Sequence, residues 1–111
     1  MVVGVLRVML QLEGVRSLKE KRMQMRRVID RARHSFNAAV SEVGAHDNLD
    51  QGEIGVCVTS NERGHANEMV DTIASFIEAE HRVRTRKVEF IHIGEDHGGS
   101  RDVVGDWSDF E

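Results

Sequence analysis

Proline and tyrosine are both missing from these 111 residues, and tryptophan and cysteine occur once each. Without proline, helices and strands have no internal breaker, so long uninterrupted elements are expected. The lone cysteine, Cys57, excludes an intramolecular disulfide framework and fits a reducing compartment. With no tyrosine and few other aromatics, a sheet face that stacks RNA bases on rings is disfavoured. No apolar run approaches the ~20 residues needed to span a bilayer. Met1-Val2-Val3-Gly4 has no basic stretch ahead of its apolar residues, so a secretory signal is not expected. The cytoplasm is the default location.

What is present is charge, unevenly placed. The net charge is -4, but the stretch from Gly94 to Glu111 alone holds six acids against Arg101, a balance of -5. Residues 1–93 then carry 14 bases and 13 acids. That division separates a near-neutral domain, residues 1–93, from an acidic, glycine-containing tail, residues 94–111. The tail is expected to be flexible, although Trp107 and Phe110 give it two apolar groups that could dock. A single domain of this length buries roughly 65% of its unfolded surface without staples.

Periodicity supplies the elements. Val2 to Leu12 alternates as a strand, with Leu6, Val8, Leu10 and Leu12 on one face. Its other face, Val3, Val5, Arg7, Met9 and Gln11, is more apolar than a solvated face requires. Ser17 followed by Glu20 is a capping box, and a helix is predicted from there to about Phe36, ended by Asn37. Ala38 to Val43 reads as a short strand, and residues 44–52 as a long hairpin connection. Ile54, Val56 and Val58 mark a third strand that stops at Ser60-Asn61. A second helix runs from about Glu62 to Glu80 on the stripe Met69, Val70, Ile73, Phe76 and Ile77. Val83 to Ile93 is the last strand. The order βαββαβ predicts an α+β, ferredoxin-like plait, a four-stranded antiparallel sheet with both helices on one face.

Around the first helix, ~100° per residue places Leu18, Met25, Val28, Ile29, Ala32 and Phe36 on the core-facing arc. Beside that arc lie Lys19, Arg22, Arg26 and Arg33, interrupted by Met23 and Asp30, with Arg27 and Arg31 on the far side. Between Lys19 and Arg33 there are seven bases against Glu20 and Asp30. Such a face attracts a polyanion in a salt-dependent way, and arginine forks grip phosphates bidentately. The candidate RNA or anion contacts are therefore Arg16, Lys19, Arg22, Arg26 and Arg33. The ordinary alternative is a solvated cationic surface.

Arg16-Ser17-Leu18-Lys19-Glu20-Lys21-Arg22, with Phe36-Asn37, Ser41-Glu42-Val43-Gly44 and Ser60-Asn61-Glu62, resembles the YlxP-like family of small bacterial proteins of unknown function. The likeness covers about residues 2 to 92. It implies the same ferredoxin-like fold. Members are often encoded beside translation and ribosome-maturation factors, which implies RNA or ribosomal work, with ribosomal RNA or the ribosomal particle as partner. It offers no catalytic residues to carry over, and the acidic tail falls outside it.

Other chemistries find less support. His65 and Glu68 lie one helical turn apart, yet the six histidines form no ligand pair of metal-site spacing. No metal or cofactor is expected. Cys57, among apolar strand neighbours, reads as a small buried hydrophobe, and Ser60 as a helix cap. No set of acid, base and nucleophile is assembled, so an enzyme is not expected. Val3, Val5 and Met9 on the second sheet face would instead form a contact between two copies. The competing reading is a homodimeric protein-interaction or structural module with no nucleic-acid role.

Overall fold

Alternation of apolar side chains decides which way the sheet faces. In a computed structural model, which describes residues 1–94, β1 spans Val2–Gln11 and buries Val2, Leu6, Val8 and Leu10 on one side. The predicted tail from residue 95 onward, with Trp107 and Phe110, lies outside the described residues. The helix α1 (Leu18–Ser35) follows, then β2 (Ala39–Gly44), β3 (Gln51–Ser60), α2 (Arg63–Glu78) and β4 (Arg82–His92).

The strands order as β2-β3-β1-β4, every neighbouring pair antiparallel. Val2 sits opposite both Ser60 of β3 and His92 of β4, so β1 is central. A bulge between Met9 and Leu10 shifts the β4 register. α1 packs chiefly on β2, and α2 on β1 and β3. Both helices cover one face, and among the described residues no helix covers the other. This is the βαββαβ ferredoxin-like plait.

Close helix–sheet approach sets two requirements. A Cβ on Gly4 would stand 3.0 Å from side-chain atoms of both Val58 and Val70, so the absence of a side chain there lets α2 settle on β1. Gly14, at φ 72°, makes the left-handed turn between β1 and α1 that a side chain would disfavour. At the far end of the helices Phe36 and Phe76 meet edge-to-face at 5.1 Å, joining α1 to α2.

Several local expectations are corrected. The first helix ends at Ser35, with Phe36 already extended as its C-cap, not at Asn37. Ser17 Oγ accepts from Glu20 N at 3.2 Å as a capping box requires, but the Glu20 carboxylate accepts from the amide of Arg16, not of Ser17. Ser60 does not cap α2. The N-cap is Glu62, without a side-chain bond, and Ser60 Oγ accepts from the Glu62 amide in a turn before the helix.

The core stripe of α1 also differs. Leu18 is 37% exposed, and Lys21 is 1% exposed, packed in line with Met25, Val28 and Ala32. A first-turn residue overhangs the sheet, whereas position 21 lies over it. The lysine stem is apolar enough to be buried, and its ammonium is satisfied at the top. Cys57 is exposed, not buried. Ile54, Val56 and Val58 take the helix side of β3, so the odd positions point to the uncovered face.

Candidate nucleic-acid interface

The basic residues of α1 divide once their neighbours are known. Lys21 leaves the surface altogether: its Nζ donates to the Ala45 carbonyl and lies 3.5 Å from Glu42 Oε2. Arg31 is consumed by Glu80 in a two-pronged pair, with Nη2 to Oε1 at 2.6 Å, and its guanidinium stands 5.9 Å from the Phe76 ring centroid. Neither remains available to an outside anion.

Lys19, Arg22, Arg26 and Arg27 make no side-chain hydrogen bond or ion pair among the described residues. Arg33 is intermediate. Its Nε donates to the Val40 carbonyl of β2 at 2.9 Å, which turns the guanidinium across that edge strand and leaves the two Nη groups uncommitted.

Arg22, Arg26 and Arg33 come together along a shallow groove of about 260 Å³ between α1 and β2. Met25 and Ile29 form its apolar floor, and Ser41 and Glu42 contribute the β2 wall. Asp30 is the one carboxylate that α1 places in it. Successive turns of a helix set Arg22 and Arg26 about 5–6 Å apart at Cβ. Placing these like charges together costs a few tenths of a kcal/mol. Arg16 and Lys19 sit before and within the first turn and do not line the groove. The spacing of the arginines was legible in the sequence. The β2 wall was not, because it depends on where a distant strand docks.

The uncovered sheet face carries Val3, Val5 and Met9 half-buried in β1. Beside Val5 lies a shallow depression of about 400 Å³ that also involves Ala39, Val43, Gly55 and Cys57, with Arg7 and Glu53 on its rim. Arg7 and Glu53 are joined by a 2.8 Å ion pair, so the rim is locally neutral. Val43, 48% exposed, leans over Gly55.

Elsewhere, Ser60 Oγ and His65 Nδ1 are 3.2 Å apart. His65 and Glu68 share the edge of a hollow near Phe36 and Asn37. Among the described residues no three His, Cys, Asp or Glu side chains gather where they could hold a metal ion. No helix among these residues is long and apolar enough to cross a membrane. Two pKa values are displaced. Burial pushes His81 below its ordinary value, opposed by nearby Glu80 and assisted by Arg31. The hydrogen bond to Asp71, with help from Glu78, raises Arg86.

A family model described as "Protein of unknown function (DUF503)" matches residues 3–90. The uncharacterized protein YlxP of Bacillus subtilis (strain 168) is 30% identical over 63 residues, which cover 57% of this chain and 68% of that protein. Among solved structures, the solution NMR structure of a de novo designed protein with ferredoxin fold aligns over 96% of both chains, at 18% identity and a TM-score of 0.47.

Proposed function

The chain belongs to the DUF503 family of proteins of unknown function, and from that premise we propose that it is a non-enzymatic accessory protein that grips the backbone of structured RNA through the basic side of α1. Ribosomal RNA, free or in the ribosomal particle, is the expected partner, and the cytoplasm the expected place. One observation carries the reading. Among the described residues Arg22 and Arg26 have no carboxylate partner although Asp30 lines the same groove, where Glu42 is engaged by Lys21. A helix that needed only solubility would close such pairs, each worth about 0.2–0.5 kcal/mol. Arg33, tethered through Nε, presents its Nη groups alongside them. The sheet cannot supply an aromatic stacking platform, so contacts to phosphate and shape are the remaining mode.

The test is a mobility-shift titration of the purified chain against ribosomal RNA at several salt concentrations. A salt-sensitive affinity is expected, and none at any salt refutes the reading. Association with ribosomal particles in a lysate should also be lost on ribonuclease treatment.

A second reading has its own observation: the apolar depression around Val5, Val43 and Cys57 on a sheet face that no helix among the described residues covers. Pairing of two copies through Val3, Val5 and Met9 would cover it and make the protein a homodimeric interaction module. Sedimentation at high concentration decides this, since a clean monomer refutes it.

A further inference from the structure

Asp30 would be out of place in a groove that held only phosphate. It is exposed, and its carboxylate makes no hydrogen bond or ion pair among the described residues, although Arg26 and Arg33 flank it on neighbouring turns of α1. The other carboxylate in the groove is already engaged, Glu42 being 3.5 Å from the buried Lys21 ammonium. Asp30 is therefore a free acceptor beside an apolar floor of Met25 and Ile29, with guanidinium groups on either side.

These parts match an unpaired base better than a phosphate. Bases in single-stranded RNA are recognised by stacking on rings or guanidinium planes and by hydrogen bonds along their Watson–Crick edges. A carboxylate only accepts. Among the four bases, guanine alone presents two adjacent donors on that edge, N1–H and N2–H. Adenine, cytosine and uracil each set a single donating position beside an acceptor, which would face the carboxylate oxygens.

Resting on the RNA reading above, we propose that the groove between α1 and β2 takes an unpaired guanine, with Asp30 accepting from N1–H and N2–H. The arginine planes cover the ring, and the remaining Nη groups hold the flanking phosphates. Asp30 then selects the base while Arg22, Arg26 and Arg33 supply affinity.

The experiment is fluorescence anisotropy with the full chain and uridine-rich RNA oligonucleotides that differ at one central position: guanine, hypoxanthine, adenine or uracil. Guanine is expected to bind tighter than adenine by a factor on the order of ten or more, with hypoxanthine, which lacks the N2 amino group, in between. Asp30→Asn, at an exposed and unpartnered position, should fold normally, erase the preference for guanine and leave binding of the uridine control equal or tighter. Two outcomes overturn the guanine assignment and leave the backbone reading standing. One is equal affinity of the wild type for all four oligonucleotides, and the other is a guanine preference that survives Asp30→Asn. Absence of salt-sensitive binding to every oligonucleotide and to ribosomal RNA removes both readings.

Discussion

The ammonium of Lys21, rising from the core side of α1, lies 3.5 Å from the Glu42 carboxylate on β2 and donates to the carbonyl of Ala45 just beyond that strand. Ala45 is the one non-glycine residue with a positive φ among the described residues. A single side chain thus fastens the first helix to the second strand and to the loop that follows it. Charge buried to this degree holds when its hydrogen bonds are complete, and becomes costly when they are not.

Lys21→Ala should therefore lose both the packed stem and the anchor, costing about 2–4 kcal/mol by analogy with large-to-small core changes. Lys21→Met keeps the volume but leaves the Glu42 carboxylate and the Ala45 carbonyl without their donor, so it should cost about 1–3 kcal/mol, less than Lys21→Ala. Urea denaturation of the two variants measures the difference. Equal losses would show that the polar anchor, and not the stem, dominates.

Two glycines should respond with opposite signs. A Cβ on Gly52 would lie 2.6 Å from Met25 Cε, the end of a buried side chain that must shift to admit it. Gly52→Ala is expected to destabilise by about 1–3 kcal/mol. Gly64, in the first turn of α2, has nothing within 4 Å of the added atom. Gly64→Ala should stabilise by about 0.4–1 kcal/mol through the unfolded chain. Thermal melts of both variants check the signs.

The division of the α1 bases predicts unequal effects on RNA. Arg22→Gln with Arg26→Gln should weaken binding and reduce the slope of log affinity against log salt by about 1.4 in magnitude, since each phosphate contact on a single strand contributes about 0.7. Arg31→Gln should leave the slope unchanged, because that guanidinium already belongs to Glu80. Titrations at several salt concentrations give all the slopes, and a matching change in the Arg31 variant would contradict the assignment.

Protonation of His81 gives a pH dependence of known sign. Its folded-state pKa is lowered below 6.5, chiefly by burial. The unfolded chain therefore binds more protons near that pH, and stability rises with pH. The contribution is present above about 6.5 and is lost as pH falls from there toward the lower folded value. His81→Gln should show a smaller stability gain between pH 5.5 and 7.5 than the wild type, read from denaturation midpoints at each pH. An unchanged gain would assign the dependence to other groups.

Much of this was legible in the sequence, and the differences have two physical causes. Alternation in β1 and β3 and the 3.6-residue stripe of α2 report burial directly, so the element order and topology followed. At Leu18 and Lys21 helical periodicity favours the apolar side chain over the charged one. The structure reverses them because the partners that make a buried lysine tolerable, Glu42 and Ala45, come from a strand and loop whose docking no local pattern encodes. At Cys57 chemical type and strand alternation point to opposite faces, and the exposed thiol follows alternation. The groove is an intermediate case. Helical spacing marked Arg22, Arg26 and Arg33, but Ser41 and Glu42 entered only through the fold.

The uncovered sheet face supplies the last measurable expectation. Cys57 is exposed on it, so a thiol reagent should label the native monomer fully without denaturant. If two copies pair through that face, labelling should slow as concentration rises. A rate independent of concentration would argue against pairing there.

The bond from Arg33 Nε to Val40 has an entropic consequence. Holding a long arginine in one rotamer costs up to about 2 kcal/mol. At Arg33 part of that loss is incurred when the chain folds, before any ligand arrives, whereas Arg22 and Arg26 must still be immobilised on contact. If the three guanidinium groups grip an anion as proposed, they do so as unequal partners: Arg33, preorganised by Val40, would set the register, and Arg22 and Arg26 would close on what it has placed.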